Sequence, residues 1–484
     1  MFGTSSQRDR MAALLTYALL VVLAVRLLTL GAYPLTDSTE ARYAEIARVM
    51  LVTGDWITPQ LEPGSPFWAK PPLYAWLTAA SFAVFGVNDF AARLPHFVLC
   101  LGVLLVMARL RPATADRMAP RLAQLVLASS FMFFVASGAV MTDMALLLGV
   151  TMAMVGFWRR QCLGGHRWQI LFFVGLAVGL LAKGPLVLVL TALPLLLWLV
   201  IYGRWQALKG FGWYAGTFLV LAIAGPWYLA AELKTPGFVD YFLVGEHLLR
   251  FIQPGWDGDL YGNAHDRARG TIWLYWLVAA LPWTPVFGYL LWRQWRERQL
   301  QNTFVKSPES AWHGYLLCWT LAPMVFFSFA GNILPPYVLP GMPAFAWLVT
   351  QLLVQVPATT PGRRIPGLIT AAAIAPITLV ILIGFYASDR LAIRSEKPLV
   401  GLFNELASHE SMLLHYFGQR PMSAAFYSRG TVKSLDDWSQ ITFTQDEAWV
   451  AARHHEVIPI ENCLETGSNL RYRLLRCRSS SASK

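Results

Sequence analysis

The chain has 484 residues, 56% hydrophobic and 14% charged, with a formal net charge of +11. A soluble domain carries nearer a quarter charged residues, so the composition excludes an ordinary soluble globular protein. The positive excess does not indicate nucleic acid, because the arginines fall in short loops between apolar runs and no basic patch is interleaved with aromatics on a soluble element.

Apolar runs recur at about the 20-residue length that crosses ~30 Å of hydrocarbon. The first, Met11–Leu30, follows Arg8 and Arg10 and has no small-residue cleavage site after it, so it reads as a retained span. Between Pro34 and Pro72 comes a polar stretch holding Asp37, Glu40, Arg42, Tyr43, Glu45, Arg48, Asp55 and Lys70. Within it, residues 39–52 read as a helix lying along the membrane interface, with Ala44, Ile46, Ala47, Met50 and Leu51 roughly on one face. Leu73–Gly86 is apolar but only 14 residues long, short for a crossing, and reads as a re-entrant or interfacial helix.

Ten further spans are expected near 91–109, 121–139, 144–158, 168–182, 185–202, 211–230, 271–291, 312–330, 336–354 and 366–386. The loops between them alternate. Residues 1–10, 109–121, 158–161, 202–209, 292–298 and 361–364 are rich in Arg or Lys and are expected to face the cytoplasm. The 34–72 stretch, the turns at Met141–Asp143, Lys183–Pro185 and Asn332–Pro336, the 232–270 loop and the tail then fall on the opposite side. Eleven spans, N-terminus inside and C-terminus outside, satisfy every basic loop. The expected organisation is a transmembrane domain over 1–386, with external loops at 32–90 and 232–270, followed by a small α/β domain at 387–484 that opens on a helix near 397–408. Cys463 and Cys477 flank a hairpin-like stretch of that tail and are candidates for a disulfide.

The candidate chemistry gathers at external span ends. Asp37 and Glu40 precede Arg42–Tyr43, Asp143 opens a span, and Lys70 and Lys183 each sit beside Pro or Gly. Glu246, His247 and Arg250 share GEHLLRF, and Tyr337 follows NILPP. Taken singly, each has an ordinary reading: helix-capping acids, snorkelling lysines, an interfacial tyrosine. Together, two Lys and an Arg suit an anion such as a phosphate at the membrane surface, and the carboxylates supply a general base. That combination describes group transfer from a lipid-linked phosphate donor.

At these residues the chain resembles the ArnT-like branch of the C-type glycosyltransferases (GT-C), which holds the aminoarabinose lipid A transferases and is related to the protein O-mannosyltransferases. The stretches that carry the resemblance run in order over residues 11–385: EARYAEIARVMLVTGDWITP, FWAKPPLYAWLTAASFAVFGVNDFAARLP, MTDMALL, LAKGPL, GPWYL, EHLLRF and ILPPYVLPGMPAFA. The resemblance implies a polytopic α-helical GT-C fold of about 11–13 transmembrane helices in a bacterial inner membrane, with the active site and tail on the periplasmic face. It implies a polyprenyl (undecaprenyl) phosphate-sugar donor and, as acceptor, lipid A or other lipopolysaccharide. The alternative acceptor is Ser/Thr of exported proteins, and a transporter is a distant alternative disfavoured by the absence of inverted repeats.

Many members of the family have an Asp-Glu pair where this chain has Thr39–Glu40, with Asp37 two residues upstream. The resemblance therefore leaves the base between Asp37, which is preferred, and Glu40. Asp143 matches the second-loop acid, and Lys70 the phosphate-binding lysine. Many members have Glu before that lysine where this chain has Ala69, which puts in doubt a metal ligand at that position and leaves a divalent metal an open question. Arg250, Lys183 and Tyr337 match donor-phosphate contacts; Arg42, Tyr43 and His247 complete the expected substrate-binding set.

Overall fold

In the computed structural model the described residues are 5–110, 118–253, 256–261, 267–296, 308–355, 361–407, 412–460 and 462–479. Parts of the basic loops at 1–10, 109–121 and 292–298, and of the 232–270 loop, lie outside them. The chain divides into two compact units. One comprises Met1–Leu30, Phe67–Tyr74 and Arg93–Val380; the other comprises Gly31–Pro66, Ala75–Ala92 and Ile381–Lys484. The first external stretch is thus split: Phe67–Tyr74, with Lys70, packs with the spans, and the rest clusters with the tail.

Each of the eleven expected spans holds helix. Among the described residues, five helices are long and apolar enough to cross a membrane unaided: Asp9–Leu28, Asp89–Met107, Trp213–Lys234, Pro335–Gln355 and Pro366–Ala387. Others are interrupted, for local reasons. The 121–139 span is two helices, Ala119–Ala128 and Phe131–Ala136, broken at two serines whose hydroxyls donate back to Leu125 O and Val126 O at 2.6 and 2.7 Å. The 271–291 span bends by 97° between Thr271–Ala279 and Trp283–Arg296. Pro282 lies at that bend, where its missing N–H and its ring end the helix. Apolar side chains such as Ile377, Val380, Ile381 and Phe385 stay exposed on these helices; in water that would be a liability, and in a bilayer it is the lipid face. The chain is a polytopic α-helical membrane protein.

Helices Asp143–Leu163 and His166–Lys183 form an antiparallel hairpin across Gly164–Gly165. Their backbones nearly touch, since a Cβ added at Gly149 would lie 2.6 Å from Gly175 O, and one at Gly156 2.7 Å from Trp168 O. Only glycine permits this approach, which maximises packing where the hydrophobic effect cannot drive association. Antiparallel packing brings the N-terminus of the first helix and the C-terminus of the second to one end. Asp143 and Lys183 occupy those two termini, each with the charge sign that complements the helix dipole.

The second unit holds helix Thr39–Thr53, a short hairpin of β1 (Gln60–Glu62) and β2 (Ser65–Pro66), most of helix Leu73–Phe85, and the tail. The tail opens on helix Lys397–Leu406 and carries five strands: β3 (Leu414–Phe417), β4 (Lys433–Leu435), β5 (Glu447–Arg453), β6 (Cys463–Ser468) and β7 (Tyr472–Arg478). Their order is β4-β3-β5-β7-β6, with β3 parallel to both β4 and β5 and the remaining pairs antiparallel. Cys463 and Cys477 stand opposite each other in the β6–β7 register and are disulfide-bonded.

Helix Thr39–Thr53 departs from the expected interfacial helix. From Glu40 to Met50 every residue but Arg42 is buried, the charged ones included. Glu45 and Arg48, one turn apart, close a bidentate pair at 2.6 and 2.7 Å, and Arg48 packs against Gly430, where any Cβ would lie 2.6 Å from its guanidinium. The apolar stripe was read as facing the interface, but the polar face has partners from the tail and is buried too.

Candidate active site

The first unit gathers Lys70, Lys183 and Arg250. Phe67–Tyr74 delivers Lys70, and the segment from Phe238 to Ile252 delivers Glu246, His247 and Arg250. Residues Tyr241–Leu249 wind as a π-helix, a rare form that is frequent at functional sites. Glu246, with a side chain 1% exposed, is shared by two cations. Lys70 Nζ donates to Glu246 Oε2 at 2.9 Å, and Arg250 Nη1 to Glu246 Oε1 and Oε2 at 2.8 and 3.0 Å. Tyr241 Oη donates to Glu246 Oε1 at 3.4 Å.

The electrostatics follow from burial and charge. Burial alone would raise the Glu246 carboxyl, but Lys70 and Arg250 outweigh it and hold the group below the usual carboxylate range. Burial pulls the Lys70 ammonium below the usual lysine range, and Glu246 only partly offsets this. Glu246 therefore orients two cations and stays ionised. It was seen in sequence only as a neighbour of His247; its 176-residue separation from Lys70 hid the pairing.

Lys183 Nζ donates to Asp143 Oδ1 at 2.6 Å and lies 4.5 Å from the centre of the Tyr337 ring. His247 is turned to the backbone: its Nδ1 lies 2.7 Å from Phe242 O and its Nε2 3.0 Å from Lys183 O. Carbonyl oxygens only accept, and burial pushes the His247 pKa down, so the neutral ring donates its single N–H to one of these two carbonyls. His247 thus ties the π-helix to the end of helix His166–Lys183. Lys70, Lys183, His247, Arg250, Asp143 and Tyr337 all belong to this unit.

The other candidates belong to the second unit. Asp37 accepts from Ser423 N and Oγ at 2.8 and 2.6 Å and forms an ion pair with Arg471. It thereby caps helix Met422–Tyr427 at its first turn. Arg471 also binds the buried Glu396 at 2.7 Å, and Tyr416 and Asn469 donate to Glu396 Oε2 at 3.0 and 2.8 Å. Glu40 accepts from Thr36 N and Oγ1 at 3.0 and 3.3 Å. Arg42 is half-buried and Tyr43 buried on the same helix. Among the described residues, no group of three or more His, Cys, Asp or Glu side chains is placed to share a metal ion.

Sequence reading missed Asp259, which lies 3.8 Å from Arg250 Nη2, and the aromatic side chains around it. Trp68 N donates to Tyr261 Oη at 3.2 Å, and Leu260 N to Tyr241 Oη at 3.1 Å. The acids of the 232–270 loop were the available signal, but spacing gave no reason to prefer Asp259 to Asp257.

The fold is of the GT-C type. ArnT from Cupriavidus metallidurans, crystallised bound to undecaprenyl phosphate, aligns with a TM-score of 0.75 at 19% identity, covering 96% of this chain and 98% of that one. An apo oligosaccharyltransferase from Archaeoglobus fulgidus aligns with a TM-score of 0.51 at 11% identity, over 90% of this chain and 66% of that chain. Residues 11–242 match the family described as dolichyl-phosphate-mannose-protein mannosyltransferase. Two relatives are named undecaprenyl phosphate-alpha-4-amino-4-deoxy-L-arabinose arabinosyl transferase. That of Erwinia tasmaniensis is 31% identical over 331 residues, 66% of this chain and 56% of the relative. That of Enterobacter sp. (strain 638) is 29% identical over 366 residues, 74% of this chain and 62% of the relative. This chain therefore spans less than two thirds of those relatives' length. In fold and in sequence, it is ArnT-like.

Proposed function

We propose that the chain is an inner-membrane glycosyltransferase that moves a sugar from undecaprenyl phosphate to lipid A or other lipopolysaccharide, working on the periplasmic face. The observation that carries this reading is the pairing of Lys70 and Arg250 on one buried carboxylate, in a fold shared with an ArnT crystallised with undecaprenyl phosphate. Glu246 holds both cations in place before the donor arrives, so little reorganisation remains when charge develops. The acceptor oxygen attacks the anomeric carbon, the bond from that carbon to the phosphate oxygen breaks, and the phosphate departs with its electron pair. Lys70 and Arg250 stabilise the charge on the departing undecaprenyl phosphate, and the Lys183–Asp143 pair with Tyr337 lines the same unit.

For proton removal from the acceptor, we assign Glu40 rather than Asp37. Both Asp37 oxygens already accept hydrogen bonds from Ser423, and Oδ2 is also paired with Arg471, so this carboxylate serves to fasten the tail. A second reading keeps the chemistry and changes the acceptor to exported proteins, supported by the match of residues 11–242 to the protein mannosyltransferase family.

The test is transfer by the purified chain in proteoliposomes, with undecaprenyl phosphate-linked aminoarabinose as donor and lipid A or a Ser/Thr-rich peptide as acceptor. Product on lipid A alone supports the first reading, product on peptide alone the second. Donor left intact with either acceptor would refute both.

A further inference from the structure

Asp259 occupies a position that the phosphate-binding role does not use. Its side chain is 5% exposed. Oδ1 accepts from Tyr261 N at 3.1 Å, which leaves Oδ2 as a buried carboxylate oxygen without a hydrogen-bond partner. The nearest cation, Arg250 Nη2, stays 3.8 Å away, beyond hydrogen-bond reach, and Arg250 Nε is likewise buried without a partner. A buried carboxylate oxygen left unpaired costs the protein its lost hydration, so an isolated one calls for an explanation.

The placement of Asp259 is fixed from both sides. Its N–H donates to Trp256 O at 3.0 Å in a tight turn. The next residue, Leu260, donates its N–H to the Tyr241 hydroxyl that reaches Glu246, and Tyr261 Oη accepts from Trp68 N, two residues before Lys70. Trp256 packs its ring against Gly245 of the π-helix, where a Cβ would come within 2.7 Å. The turn is therefore registered against both cations that grip the phosphate. In a sugar phosphate, the ring substituents stand only a few bonds from the phosphorus. A group that flanks the phosphate cation and offers a buried acceptor is placed to meet them.

We propose that Asp259 is a specificity residue for the donor sugar: its Oδ2 accepts a hydrogen bond from a hydroxyl or ammonium group of the sugar ring while Arg250 holds the adjoining phosphate. This rests on the lipid-phosphate donor reading above and adds the part of the site that reads the sugar. A site built to pair a polar substituent discriminates strongly against a ligand lacking it, because its own buried group is then left unpaired.

The test compares two probes on the full chain in nanodiscs: undecaprenyl phosphate, which lacks the sugar, and undecaprenyl phosphate-linked 4-amino-4-deoxy-L-arabinose. Asp259→Asn is expected to bind undecaprenyl phosphate within about twofold of the wild type and to bind the sugar-linked donor about tenfold more weakly. Equal weakening for both lipids would mean that Asp259 acts only through Arg250, and no weakening for either would make it a structural acid; both overturn the proposal. If Asp259→Asn fails to fold, Asp259→Glu carries the same comparison, with a selective loss for the sugar-linked donor supporting the proposal and parallel behaviour overturning it. A wild-type chain that binds neither lipid would fail differently, removing the donor reading itself and this inference with it.

Discussion

Lys70 and Glu246, 176 residues apart in the chain, meet at 2.9 Å, and Arg250 meets the same carboxylate at 2.8 Å. One buried acid thus sets the position of two cations that come from different loops. Glu246→Gln removes the charge with little change of shape and leaves Lys70 and Arg250 facing each other. Removing one partner from a buried ion pair costs about 3 kcal/mol or more. We expect a lower melting temperature of the purified protein and at least a tenfold loss of transfer. Unchanged melting and turnover would show that the cations need no organiser.

The Lys70 ammonium sits below the usual lysine range because burial disfavours its charge. Its proton is therefore lost at lower pH than from an exposed lysine. If the charged form holds the phosphate, kcat/KM falls as pH rises through that depressed value, while the acid side is unaffected by this group. Lys70→Arg keeps the charge to far higher pH, so its alkaline limb moves up even if its maximum is lower. The pH profiles of wild type and Lys70→Arg check this, and superimposable alkaline limbs would rule it out.

Asp37 and Glu40 separate by consequence. Asp37→Asn weakens the charge-assisted bonds to Arg471 and Ser423, and a lost charged hydrogen bond is worth about 1.5–3 kcal/mol. The expected result is faster proteolysis of the tail with donor affinity retained. Glu40→Gln is expected to lower kcat by a factor of about 100 or more with the tail protected. The reverse pattern would return the base to Asp37.

Much of the fold was legible because membrane spans must satisfy their own backbone and present apolar faces, so length and hydropathy mark them in the sequence. All eleven expected spans hold helix, and the short apolar Leu73–Phe85 and the tail helix near 397 are present. Breaks such as Ser129–Ser130 were not legible, since they depend on side-chain hydroxyls turning back onto the helix. The candidate residues were legible by type and not by pairing. Lys70, Lys183, Arg250 and Asp143 could be named from charge at span ends, but which acid meets which cation depends on long-range packing. Asp37 illustrates the limit: its partners Ser423 and Arg471 lie 386 and 434 residues away, in a tail where sequence likeness fades. Thr39–Thr53 looked interfacial because its charged face had no visible partner in the sequence.

The disulfide closes β6 onto β7 across a sequence separation of 14. For a loop of that size the chain-entropy effect is about 3 kcal/mol. Cys463→Ser combined with Cys477→Ser should therefore lower the stability of the tail without changing donor affinity. Hydrogen exchange over residues 447–478 reads this directly, and protection equal to wild type would show that the strands hold without the bond.

We propose that Lys70 and Arg250 hold the phosphate of a lipid-linked sugar destined for lipid A. It is tested most directly by mass spectrometry of lipid A from a strain lacking this chain, complemented with wild type or with the Lys70→Ala plus Arg250→Ala double variant at matched membrane levels. A glycosylated lipid A species is expected to be restored by wild type and absent with the double variant. A glycosylated species that persists without the chain, or is restored equally by the double variant, would contradict it.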